Sequence, residues 1–298
     1  MAQIEAGGRQ VRLGRRSRSV VVTALGRRTG KVLGILLAYL VGAAFFLPLF
    51  WMASTALKTP GQTFLSPPAW IPSPFAWENF PEAVRYIPFG LYTLNTLRIA
   101  IPSVFGTLLS CSLVGYGLSR VRAPGRDFFF YMMLSTMMVP WAVTMVPLFI
   151  MFKHLGWIGT YLPLIAPSFF GSPYYIFLFR QFFLTIPMEL SDAAVVDGCS
   201  HLGILWRIIL PLAKPIIVTV ALFRFNAAWS DYLAPLIFLN RREQFTIALG
   251  LTYFLDHDWP LWNLAMAATT VAVVPVIAIF LVAQRSFIEG ITLTGIKG

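Results

Sequence analysis

Long apolar stretches alternate with short polar ones along the chain. Apolar runs cover about 32–54, 95–118, 128–152, 160–184, 211–239 and 262–284. Each is about 20 residues or more, enough for a helix rising about 1.5 Å per residue to cross a hydrocarbon core of roughly 30 Å. The pattern therefore predicts six membrane-spanning helices. Aromatic residues gather near several run ends, at Phe50 and Trp51, Trp141, Trp157, Trp259 and Trp262, as interfacial anchors do. Pro140, Pro147, Pro163, Pro167, Pro173 and Pro215 fall inside or beside the runs. Membrane helices tolerate proline because neighbours satisfy the freed carbonyls, and some of these prolines are expected to mark kinks.

The polar segments between the runs set the orientation. With the N-terminus inside, the inner side holds the basic residues from Arg9 to Lys31. It also holds Arg120, Arg122, Arg126, Arg180, Arg207, Lys214, Arg285 and Lys297. The outer side holds only Lys58, Arg85, Arg98, Lys153, Arg241 and Arg242. Basic residues favour the cytoplasmic side, so both termini are expected there. The segment after the first span is then external. The expected organisation is a basic cytoplasmic tail at 1–31, a six-span domain at 32–284 and a cytoplasmic tail at 285–298.

Composition supports lipid as the solvent. The chain is 57% hydrophobic and 12% charged, against about 25% charged in a soluble domain. A net charge of +11 raises the question of nucleic acid, but the basic residues sit at span flanks, where anionic lipid is the natural partner. No nucleic-acid partner is expected. The first run is longer than a signal-peptide core and lacks a small-residue cleavage site after it, so it reads as a span. Cys111 and Cys199 imply no disulfide framework.

Little in the sequence carries bond-making chemistry. "GRRTGK" at Gly26–Lys31 has three residues between its glycines where a phosphate loop has four, and no strand precedes it. No nucleotide site is expected on this chain. "DHDWP" at Asp256–Pro260 has weak metal-ligand spacing and reads as a solvated loop. His154 and His201 are isolated in sequence. No nucleophile elbow or acid–base pair stands out. The chain is not expected to be an enzyme.

Arg224 and Asp231 are the ionisable residues inside the fifth run. On a continuous helix, seven residues make about two turns, so they would share a face. Asn226, Trp229 and Ser230 lie beside them. Charges at membrane depth usually face a cavity or each other. One reading is the polar wall of a transport path. The others are a structural ion pair, or a tie to a neighbouring helix or subunit. An ion-coupled carrier working through these two residues is the rival functional class, although no inverted repeat of the kind such carriers show is visible.

The most polar inner segment is "ELSDAAVVDGCSHLGILWRIILPLAKP", from Glu189 to Pro215. Pro187 suits the first turn of a short helix. Glu189 and Asp192 are acids near its start, where the helix dipole favours them. Ala193 and Ala194 permit close approach of another surface. Gly198 is placed to break the helix with a positive φ. Ser200 can cap a second helix, and Pro211 marks entry to the fifth span. The segment reads as a helix–glycine–helix element, either an ordinary interfacial loop or a docking element.

This segment resembles the EAA loop of binding-protein-dependent ABC importer permeases. That family's pattern is Glu-Ala-Ala, three residues, Gly, nine residues, then Ile-x-Leu-Pro. The chain reads "DAAVVDG" at Asp192–Gly198 and "IILP" at Ile208–Pro211, with the same spacing. Asp192 stands for the usual Glu and Cys199 for a common Ala. "LSRVRAPGRDFFF" (Leu118–Phe130), "TMMVPWAVTMVPLFIMFKHLGWIGTY" (Thr136–Tyr161), "LFRQFFLTIP" (Leu178–Pro187), "AAWSDYLAPLIFL" (Ala227–Leu239) and "QRSFIEGITLTGIKG" (Gln284–Gly298) are similar to segments of the carbohydrate, maltose-type subfamily.

The resemblance implies an all-α membrane protein of six transmembrane helices with a cytoplasmic coupling loop at about 185–211. It implies an importer of a sugar, oligosaccharide or related polyol, with glycerol phosphate a possible exception, in a bacterial or archaeal plasma membrane. The implied partners are a second homologous permease, two ABC ATPase subunits and an extracellular or lipid-anchored substrate-binding protein. ATP and Mg would be bound by the ATPase, with no cofactor on this chain. Coupling would fall to Glu189, Asp192, Ala193, Ala194, Asp197, Gly198, Leu210 and Pro211. The C-terminal tail, with Glu289 and Lys297, would also reach the ATPases. Tyr174, Tyr175, Arg224, Asn226, Trp229, Ser230 and Asp231 are the expected path residues.

Overall fold

A computed structural model describes the backbone of residues 31–256 and 259–295 and the side chains of 31–256 and 259–284. The tail before Lys31, His257 and Asp258 of the "DHDWP" stretch, and the side chains of Glu289 and Lys297 lie outside the described residues. All regular structure among the described residues is helical.

Ten helices carry the description: α1 Lys31–Ala56, α2 Asn79–Tyr86, α3 Phe89–Arg120, α4 Arg126–Ser135, α5 Trp141–His154, α6 Pro173–Thr185, α7 Glu189–Val196, α8 His201–Leu212, α9 Lys214–Trp229 and α10 Trp262–Gly295. Among the described residues, the spans that are long and apolar enough to cross a membrane are α1, α3, the Leu162–Thr185 segment ending in α6, and Trp262–Gln284 of α10. Two bent pairs bring the total to six if each counts as one span. The chain divides into two units, Met1–Thr55 and Ala56–Gly298. The first contains α1 up to its last residue, and the larger second unit contains α2 to α10.

The expected third span is not straight. Its axis turns by 96° between Arg126–Met138 and Trp141–His154. Val139 and Pro140 are extended at the break. Proline disfavours the helical conformation in the residue before it and lacks the N–H that would continue the ladder. Pro102, Pro147 and Pro275 instead stay within continuous helices.

The expected fifth span, 211–239, is also divided. Its helix α9 ends at Trp229, and a separate short helix covers Leu233–Phe238. Asp231 Oδ1 accepts the Ala234 N–H at 3.2 Å. An aspartate that binds backbone two or three residues on offers the chain an alternative to helix. Arg224 and Asp231 therefore do not sit on one continuous helix, and the shared-face expectation fails.

The centre of the larger unit is the packing of α3 against the 162–187 segment. The contacts rise in step along both. Ser103 Oγ donates to Leu164 O (3.2 Å), Ser110 Oγ to Ser168 O (3.0 Å) and Ser172 N–H to Cys111 Sγ (3.3 Å). The two segments thus run parallel. Small residues permit the approach. A Cβ on Gly115 would lie 2.8 Å from Phe179 Cβ, and one on Gly106 would lie 2.6 Å from the Phe169 ring. Around the Arg120 end lies an apolar cluster of Tyr116, Phe179, Phe183, Ala194, Ile204, Leu205, Ile209 and Val220. A second cluster joins α2, Tyr92, Trp229, Phe254 and the alanine face of α10. There Asn79 receives a bond from Asn263 (3.1 Å) and donates to the carbonyls of Ala56 and Lys58 (2.8 Å each).

Candidate functional site

The segment from Ile186 to Ala213 projects from the apolar cluster as two short helices. Residues 186–188 approach α7, so Pro187 precedes the helix and does not enter its first turn. α7 ends at Val196, and Gly198, two residues on, takes the left-handed conformation, φ +80°. Cys199 N–H donates to Ala194 O (2.9 Å) and Gly198 N–H to Val195 O (3.0 Å). These paired bonds are the Schellman closure, which satisfies carbonyls that a helix end leaves free. Nothing lies within 4 Å of where a Gly198 side chain would begin. The glycine is needed for its backbone, not for space.

The second helix starts as its sequence requires. Ser200 is extended, and its Oγ accepts the Gly203 N–H at 3.2 Å. A π-helical stretch, Leu205–Ile209, precedes Pro211. α8 then meets α9 at 84°. Pro211 is thus in the last turn of α8, and the long helix begins at Lys214 after a break at Ala213.

The segment is sorted by face. Ser191, Ala194, Ile204, Leu205 and Ile209 are buried, and Leu210 is half-buried. Glu189, Asp192, Ala193, Asp197, Gly198 and Pro211 are exposed. Of the adjacent alanines, one packs inward and one is open. Beside the acids stand exposed apolar groups: Val196 at 87%, Leu202 at 60% and Trp206 at 54%. The outward side of the segment thus carries both acids and large apolar side chains.

Two residues that sequence reasoning left as a basic flank and an unremarked tyrosine hold this segment in place. The Arg120 guanidinium is 4% exposed. It donates to the carbonyls of Phe183 and Ile186, to Pro187 O (3.2 Å) and to Ser191 Oγ (3.5 Å). The Tyr116 hydroxyl lies 3.3 Å from His201 Nδ1. A reciprocal contact runs from Arg180 Nε to Leu118 O (3.1 Å). Arg180 also pairs with Asp127 (3.5 Å) and lies over the Phe130 ring. Parallel helices place two negative dipole ends together, and each receives the other's arginine. The available signal was an arginine at the last position of a span whose neighbour ends nearby.

The expected path residues take different partners. Arg224 Nη2 donates to Ser168 Oγ at 2.9 Å, and Asp231 caps Ala234; they form no salt bridge with each other. Trp229 is 5% exposed, stacks on Phe225 and donates to Ala272 O (3.1 Å). It packs in the apolar cluster shared with Tyr92 and Phe254, and it also lines a cavity with Phe80, Phe89 and Thr93. Tyr175 is buried beside Tyr174, which is open. Asn226 and Ser230 are exposed. The structure brings Arg224 and Ser168 together and leaves Tyr174, Asn226 and Ser230 facing outward.

Residues 111–292 match the family described as binding-protein-dependent transport system inner membrane component. The arabinooligosaccharides transport system permease protein AraQ of Halalkalibacterium halodurans is 34% identical over 286 residues, covering 91% of this chain and 99% of that protein. The diacetylchitobiose uptake system permease protein DasC of Streptomyces coelicolor is 29% identical over 259 residues, covering 87% and 93%. A solved bacterial ABC transporter involved in the import of the acidic polysaccharide alginate contains a chain that superposes with a TM-score of 0.73 at 22% identity, over 87% of this chain and 98% of that one. That likeness is one of fold.

Proposed function

Because this chain belongs to the family of binding-protein-dependent transport system inner membrane components, we propose that it is the permease subunit of an ATP-driven importer. It forms half of a path for a sugar, oligosaccharide or related polyol. Its relatives by sequence are transport permeases for carbohydrates, which favours that substrate class.

The observation that carries the reading is the 186–213 element. It is rigidly closed at Gly198 and presents Asp192, Asp197, Val196, Leu202 and Trp206 outward. In this reading the element lies on the cytoplasmic side and seats in a cleft of an ATPase subunit. Both termini share that side. A second, related permease completes the path, two ATPase subunits bind ATP and Mg, and a binding protein delivers the sugar outside. The membrane is a bacterial or archaeal plasma membrane. ATP binding can shift such an assembly only through contacts that differ between its states, and this element is where the difference enters the chain. Glu189, Asp192, Ala193, Asp197 and Gly198 form the contact. Ala194, Leu210 and Pro211 set its backing. On the path, Tyr174, Tyr175 and Trp229 offer aromatic faces, and Arg224, Asn226, Ser230 and Asp231 offer charged and hydrogen-bonding groups.

The test is co-purification of the chain with its ATPase and measurement of binding-protein-stimulated ATP hydrolysis. Stimulation that disappears in Gly198→Pro supports the reading. Uptake driven by an ion gradient, with no ATPase associated, overturns it in favour of a secondary carrier.

A further inference from the structure

The coupling element is fastened to the rest of the chain at two polar points, and both lie on α3. Arg120 holds the entry to α7 through Ile186, Pro187 and Ser191, while also closing the end of α6 at Phe183. Tyr116 meets His201, the first residue of α8. Tyr116 and Arg120 are four residues apart, hence on one face of their helix. The two attachment points lie on either side of the Gly198 bend.

An arginine that merely finished a helix end would not need this position. Carbonyls at a solvent-facing helix end can be satisfied by water. Here the guanidinium is buried, which is costly unless its donors are used. All five of its partners, Phe183 O, Ile186 O, Pro187 O, Met188 Sδ and Ser191 Oγ, come from the connection and the helices it joins, and Nε has no partner. α7 turns Ser191 and Ala194 inward, and Ser191 is itself bonded to Arg120. A displacement of α7 and α8 therefore pulls on α3.

We propose that Tyr116 and Arg120 form a two-point clamp that makes α3 the receiver of the coupling element's movement. This rests on the coupling reading above. Both are positioning residues, remote from nucleotide and acting through the backbone they hold.

The test uses the full complex in lipid nanodiscs. Cys199→Ser removes the half-buried thiol, and a fluorophore on Leu94→Cys reports from the far end of α3. ATP, magnesium and orthovanadate are added, and the fluorescence change is measured with the amount of ATPase that co-purifies. Arg120→Met is expected to keep the ATPase bound and to reduce the change by about tenfold, the scale of losing one buried charged hydrogen-bond set. Arg120→Lys should restore part of it. Tyr116→Phe should lower it by about twofold, since it removes one neutral bond. An unchanged signal per assembled complex in all three variants overturns the proposal and leaves the residues as structural caps. Should Arg120→Met fail to assemble, unchanged signals in Arg120→Lys and Tyr116→Phe overturn it alone. A wild-type complex that binds no ATPase, or gives no nucleotide-dependent change, overturns the coupling reading and the clamp together.

Discussion

The chain interrupts its apolar pattern with polar residues at 186–213 and again at 224–231, and folds the two interruptions in opposite ways. In the first, backbone groups are closed by the chain's own geometry: a Schellman end at Gly198, a serine cap at Ser200 and an arginine from another helix. The polar and apolar side chains of its outer face stay free. In the second, Arg224, Trp229 and Asp231 are consumed by contacts within the chain, while Asn226 and Ser230 stay open. Arg224 is bound to Ser168, Trp229 to Ala272 and Asp231 to Ala234. A polar segment is available to a partner only where something else satisfies the backbone.

Substitutions can break or sharpen that contrast. The largest effect on stability belongs to the consumed set. Trp229→Ala should cost about 3–5 kcal/mol, as truncation of a buried tryptophan does, and show as a lowered melting temperature in detergent. A stable Trp229→Ala protein with altered substrate selectivity would place Trp229 on the path. Next comes Gly198→Pro. The ring fixes φ near −65° and removes the donor to Val195, a local cost of about 3 kcal/mol. The chain should still insert, yet lose stimulated ATP hydrolysis.

Asp231→Ala should lower stability by about 1 kcal/mol, the usual worth of a capping side chain, with transport affected no more than folding explains. Abolished uptake at unchanged melting temperature would show Asp231 to be a path residue and erase the contrast. The smallest stability change is expected for Asn226→Ala, within about 0.5 kcal/mol because the side chain is exposed. A clear loss of uptake in that variant would place the path along the open face of α9.

The apolar runs were legible because their length reports the solvent directly. The helix–glycine–helix element was legible for a similar reason: Gly198 and Ser200 act on backbone within a few residues, so their sequence neighbours hold the information. The break after Trp229 was missed because hydrophobicity continues through Leu233–Phe238 while helix geometry does not. Ser230 and Asp231 ahead of a new apolar run, with Pro235 in its first turn, were the signal. Pro140 could not be distinguished from Pro102 or Pro147 as the breaking proline, since all three lack the same N–H and only their neighbours differ. Arg120 was hidden for another reason. Its partners lie 63–71 positions away in sequence, and a span-terminal arginine reads as a topology signal before it reads as a contact.

The π-helical stretch at Leu205–Ile209 has a geometric consequence of its own. It accommodates one residue more than an α-helical turn of the same rise, and one residue is a rotation of about 100°. The phase of α8 is therefore offset across it: Leu202, before the stretch, is indexed differently from Leu210 and Pro211, which come after it. The stretch works like a vernier between the outer face of α8 and the helix that follows. Deleting one residue there would keep every side-chain type and the Gly198 bend, yet turn that outer face by about a quarter of a revolution relative to α9.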